Sequence, residues 1–338
     1  SGTFANTAVE MIRAFDSDDN QIPVIVASHK AVWKPQRDLR FDDLEYDNGV
    51  GDILICLDVS NSRPTSPDWS GTGPLTRDGV IAMARGRQEY VSGSLCEAYP
   101  EVQEYWMSWI DQCIDADVDG LDVRISNHSG WVNTPDIYGF NEPVIKEYER
   151  RYDVNPDTSA YDSEKVGAVR GDFFDDFLRK AKVRLSGSGK RLSLNCEMES
   201  FRPDACQARW RTRPGNITFN WHKWLSSGLA DEATLLCRGW DPDRTLEDPL
   251  THEMLEEAKK ANIPVHISDP VRQGQNMSET EKLGFSYRDG RLAGYCFYET
   301  ASMYDRDKPV GPNNRLNFRA GLIEEIRRQV DKLGITTS

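Results

Sequence analysis

Residues 120–126, "GLDVRIS", alternate strictly: Leu121, Val123 and Ile125 on one side, Asp122, Arg124 and Ser126 on the other. That period of two describes a strand with one apolar and one charged face. Six further runs read as strands: "PVIVAS" (23–28), "DILICLDVS" (52–60), "RLSLNCE" (191–197), "ATLLCR" (233–238), "PVHISD" (264–269) and "GYCFYE" (294–299). Between them the period changes. Val102, Tyr105, Trp106, Trp109, Ile110, Cys113 and Ile114 recur at three and four, with Pro100 at the entry and Gly120 beyond the end, the pattern of an amphipathic helix. Comparable stripes run through Val166, Val169, Phe173, Phe177 and Leu178, through Met254, Leu255 and Ala258, and through Phe318, Leu322, Ile323, Ile326 and Val330.

Strands alternating with helices imply parallel strands joined by right-handed crossovers, and this many units suit a (β/α)8 TIM-type barrel better than an open sheet. The expectation is one barrel domain over residues 1–338, with an irregular or missing first or third strand unit. "RQEYVSG" (87–93) is the candidate for the eighth strand. "GSGK" (187–190) precedes a strand instead of opening a helix, so it is a turn and no dinucleotide fingerprint is present.

Barrel strands send alternate side chains inward, and chemistry gathers at their C-terminal ends. Inward residues late in each strand are therefore the candidates: Asp58, Asp122, Arg124, Glu197, Arg238, His266, Asp269 and Glu299. Asn127, His128 and Trp131 follow the charged strand, and Trp221 precedes another strand.

"CEAYPEVQEYWMSWIDQCIDADVDGLDVRISNHS", followed by "YGFNEPVIKEYERRYDVNP", resembles the glycoside hydrolase-like barrel proteins often labelled family-10-like glycosyl hydrolases. Their run has a "YPEV" helix start, a "GVDG" strand entry with an acid two residues on, and a "GFNEP" helix start. The resemblance covers residues 95–156 clearly and the remainder loosely. It implies a barrel fold and activity on a glycan. Arg124 departs from the pattern, because many relatives carry a second acid there. "GFNEP" reads as local structure, with Asn141 as a helix cap and Pro143 in the first turn.

Glycoside hydrolysis commonly needs two carboxyl groups, one to protonate the leaving oxygen and one to attack or to activate water. Asp122 and Glu197 form the first pair and Glu299 is the third candidate; against this, Asp122 pairs with Arg124 as a structural brace. Arg202, Arg209, Arg211 and Arg213 cluster after Glu197 in a chain of net charge −14, and arginine forks match carboxylate and sulfate oxygens. An anionic, uronate or sulfated, glycan is thus expected near Arg209 and Arg211. Two other function classes stay open: a non-catalytic carbohydrate-binding barrel, and a polysaccharide lyase.

The negative charge opposes nucleic-acid binding, and no apolar run approaches the ~20 residues of a membrane helix. No HxH or HExxH pair or CxxC spacing points to a metal, so neither metal nor cofactor is expected. The seven cysteines fit core positions, and "SGTFANTAVEM" lacks a signal-peptide pattern. A cytoplasmic location and a secreted or periplasmic one with a removed leader both agree with this, and the oligomeric state stays open.

Overall fold

The computed structural model describes residues 13–15, 21–22, 38–40, 54–58, 81–83, 85, 90–115, 119–124, 139–201, 217–237, 240–270, 279–298 and 322–333. Its strands are β1 (Arg13–Phe15), β2 (Gln21–Ile22), β3 (Asp38–Arg40), β4 (Leu54–Asp58), β5 (Ile81–Met83), β6 (Tyr90–Leu95), β7 (Gly120–Arg124), β8 (Arg191–Cys196), β9 (Glu232–Leu236), β10 (Val265–Pro270) and β11 (Gly294–Tyr298). The helices are α1 (Pro100–Asp115), α2 (Glu142–Tyr152), α3 (Ser163–Gly187), α4 (Trp221–Ser226), α5 (Pro242–Leu246), α6 (Pro249–Lys260), α7 (Glu279–Arg288) and α8 (Leu322–Leu333).

Six strands form one parallel sheet in the order β11-β10-β9-β8-β7-β4. Chain order and spatial order agree, as in a barrel wall; a doubly wound sheet would reverse direction at its middle. Six of the seven expected strands lie in this sheet, and residues 23–28 fall outside the described residues. The expected eighth strand is corrected: β6 pairs antiparallel with β5 in a separate two-stranded ribbon. β1, β2 and β3 make a third small sheet.

Both faces of the parallel strands are buried for different reasons. Leu121, Val123, Leu192, Leu194, Ala233, Leu235, Val265 and Ile267 point outward under the helices and are at most 4% exposed. Val102, Trp106 and Ile110 of α1 and Val166, Phe177 and Leu178 of α3 complete that layer, with Trp106 and Phe177 edge to face at 4.9 Å. The alternate residues Asp122, Arg124, Ser193, Asn195, Thr234 and Ser268 point inward and are equally buried. Aspartates start the helices: Asp162 accepts from the backbone N–H of Glu164 and Lys165, and Asp248 from those of Leu250 and Thr251. Asn141 occupies the N-cap position of α2 with Pro143 in the first turn, but its side chain makes no capping bond, which corrects the expected role.

Candidate functional site

The polar interior divides along the strand direction. At the entry end, where β8 and β9 begin, Arg191 Nε lies 3.9 Å from Glu232 Oε1, and His266 Nε2 lies 3.5 Å from Glu232 Oε2. His266 is the second residue of β10 and is registered with Thr234 and Gly294. By register it is level with Asn195 and Arg124, one inward position short of Glu197, and its imidazole turns toward Glu232 on the entry side instead of standing at the exit rim. Sequence parity gives the inward direction of His266 but not its height, because only strand register sets that.

Asp122 belongs with this entry-side group. It is registered with Cys56 on β4 and Ser193 on β8, and Ser193 is in turn registered with Glu232. Asn195 Nδ2 donates to Asp122 Oδ2 at 2.8 Å, whereas Asp122 Oδ1 and Asn195 Oδ1 are buried without a hydrogen-bond partner. Burial pushes the Asp122 pKa up to about 6; Ser193 and Asn195 oppose that rise, Glu232 adds to it and His266 opposes it.

Glu197 occupies the other end. It follows β8 directly, shares the inward parity of Ser193 and Asn195, and is 8% exposed. The expected Asp122 and Glu197 pair does not come together. Glu197 lies four residues past the registered partner of Asp122, about 13 Å along the strand at ~3.3 Å per residue. Carboxyl pairs in glycosidases span roughly 5–5.5 Å or 6.5–9.5 Å. Arg124 lies between the two levels, registered with Asp58 and Asn195, and is 1% exposed.

Asp269 is corrected as well. It has the opposite parity to His266 and Ser268, faces the helices, and binds Lys282 of α7 at 2.7 Å with both side chains 0% exposed. It is a buried brace and not a substrate contact. Trp221 is 6% exposed in the apolar core, so its ring is used for packing instead of being presented to a ligand. Arg238, Asn127, His128, Trp131, Arg209, Arg211 and Glu299 lie outside the described residues. In chain order each follows a strand of the sheet.

The segment that carries the family resemblance has a structural centre that sequence reading missed. Arg170 of α3 donates from Nε to Glu97 Oε1 at 2.5 Å and from Nη2 to Glu97 Oε2 at 2.8 Å, with both side chains 4% exposed. Gly139, the glycine of "GFNEP", has φ +91° and lies so close that a Cβ would sit 2.4 Å from Arg170 Nη1. Gln103 adds a bond from Nε2 to the Glu97 carbonyl at 3.0 Å. With both oxygens engaged by one buried guanidinium, Glu97 serves the packing of α3 against the turn before α1.

Burial raises the pKa of the Cys96, Cys113, Cys196, Cys237 and Cys296 thiols, which keeps them protonated, and none of the five is disulfide-bonded. Among the described residues no group of three His, Cys, Asp or Glu is placed to hold a metal ion, and no helix is long and apolar enough to cross a membrane.

No family model matches the sequence, and no curated protein matches it. Solved structures give distant likenesses. The chain is similar to the glycoside hydrolase domain of PgaB (BpsB) from Bordetella bronchiseptica at 12% identity and TM-score 0.46, covering 85% of this chain and 75% of that one. It is similar to the glycoside hydrolase domain of PelA from Pseudomonas aeruginosa at 13% identity and TM-score 0.39, covering 82% and 87%. For Aspergillus fumigatus Ega3 in complex with galactosamine the values are 7%, 0.38, 94% and 98%.

Proposed function

We propose that the chain is a glycoside hydrolase cleaving a poly- or oligosaccharide at the exit edge of the parallel sheet, with Glu197 and Glu299 as its carboxyl groups. The position of Glu197 carries this reading. An inward glutamate at the C-terminal end of a parallel strand stands where βα loops build the site of a barrel enzyme. Glu299 immediately follows the last residue of β11 in the chain, as Glu197 follows β8. The sequence resemblance over residues 95–156 supports the same class.

In such a site one carboxylic acid protonates the glycosidic oxygen while the other, ionised, attacks the anomeric carbon or activates a water. Arg124, buried one inward position beyond Asp122, supplies a fixed positive charge beneath the edge. Asn127, His128, Trp131 and Arg238 follow sheet strands in the chain and are the candidate substrate contacts, and Arg209 and Arg211 are suited to the anionic groups of a uronate or sulfated glycan.

The test is incubation with neutral, uronate and sulfated polysaccharides. New reducing ends, lost in Glu197→Gln, are the expected result. Unsaturated uronate products would identify a lyase, and binding without cleavage a carbohydrate-binding barrel; either overturns the proposal.

A further inference from the structure

Asp122 and Asn195 present an unusual balance of donors and acceptors. Their planar end groups meet through one hydrogen bond, Asn195 Nδ2 to Asp122 Oδ2, at 2.8 Å. Each group keeps one further oxygen, Asp122 Oδ1 and Asn195 Oδ1, both buried and outside hydrogen-bond geometry; the Ser193 hydroxyl, close enough to act on the Asp122 charge, is paired with Thr234 at 3.3 Å. An unsatisfied buried acceptor costs stability, and two of them on groups already joined at one corner call for a single shared donor. A carboxylic acid supplies it, since its hydroxyl donates where a carboxylate only accepts.

We infer that in mildly acidic solution Asp122 is protonated in the folded protein, its Oδ1 hydroxyl donating to Asn195 Oδ1 and closing a two-bond acid–amide ring between β7 and β8 that opens when the proton is lost. One proton then satisfies both orphaned oxygens and leaves no net charge in a side chain that is 3% exposed. The surroundings agree with this. On the strand of Asp122 itself stands Arg124; β4 contributes Cys56 and Asp58 as registered neighbours; β8 carries Arg191, Ser193 and Glu197 on the inward side; β9 carries Glu232 and Thr234, β10 His266 and β11 Cys296. Desolvation and Glu232 oppose ionisation of Asp122, and together they outweigh Ser193, Asn195 and His266. The site is a proton-binding lock in the sheet wall and is independent of the glycosidase proposal.

The sign of its pH dependence follows. The folded pKa lies above the unfolded one, so between 3.8 and about 6 the folded chain binds more protons, and stability present below that window is lost as pH rises through it. Asp122→Asn carries a permanent N–H donor at the same corner and lacks that loss. Denaturant unfolding at pH values from 4 to 8 measures it. The folding equilibrium constant of the wild type relative to Asp122→Asn should fall by about 100-fold across the window, at tenfold per pKa unit. A ratio that stays flat overturns the proposal. If Asp122→Asn does not fold, carboxyl 13C resonances of the wild type decide: Asp122 titrating near 6 supports the lock, and Asp122 titrating in the ordinary aspartate range overturns it.

Discussion

Arg170 holds both oxygens of Glu97 across 73 residues of chain, joining the turn before α1 to α3 inside the core. Taking away one member of such a pair strands the other charge in a low-dielectric interior, which costs about 3–5 kcal/mol. Glu97→Ala should therefore lower unfolding free energy by that amount. Glu97→Gln, which keeps one acceptor oxygen, should lose less. Urea denaturation of both variants checks the order.

Gly139 lies against the same guanidinium. Its φ of +91° suits glycine alone, and an added Cβ would stand within 2.7 Å of three guanidinium atoms that cannot retreat without releasing Glu97. Gly139→Ala should cost on the order of 3 kcal/mol, from left-handed strain plus loosening of the pair. Added to Glu97→Ala it should cost clearly less than the sum, because the lock is already open; a double-mutant cycle reads this coupling.

Strand identity was legible because alternation survives burial on both faces: Leu121 and Val123 against Asp122 and Arg124 keep period two wherever the strand lies. The stripe of α1 was legible for the same reason at period 3.6. Depth was not legible. His266 and Glu197 both have inward parity, yet His266 is level with Asn195, one inward position short of Glu197, since register belongs to the pairing of strands and not to either strand alone. Asp269 was legible in principle, since it stands three residues from His266 and so on the opposite face, even though it lies near the strand end. Glu97 with Arg170 left no local signal, because partners so far apart in sequence meet only after α1 and α3 pack.

The outward aspartate gives a direct comparison. Asp269 and Lys282 are both 0% exposed. Asp269→Leu alone should destabilise by about 3–5 kcal/mol by removing the carboxylate opposite the buried ammonium. Adding Lys282→Met should recover most of that loss, since a packed apolar pair of similar volume is often neutral. Thermal melts of the two single variants and the double variant check this. A substrate-binding Asp269 would instead change KM while leaving the melts alike.

The final prediction separates chemistry from substrate recognition at the exit edge. Glu197→Gln preserves shape and one acceptor while removing the carboxyl chemistry, so it should reduce kcat by about 10²–10⁴-fold, the usual share of general acid–base catalysis, with glycan affinity and melting temperature close to wild type. Arg209→Ala with Arg211→Ala should do the converse. If these arginines hold an anionic glycan, the double variant should weaken binding at low ionic strength far more than at 1 M salt, where the screening length shrinks to about 3 Å. Calorimetric or fluorescence titrations at two salt concentrations measure this. Parent and variant with equal salt dependence would remove the case for an anionic substrate and leave a neutral glycan. A fall in melting temperature of several degrees in Glu197→Gln would instead make Glu197 a structural group of the sheet edge, and the catalytic carboxyl would have to be sought on another strand end.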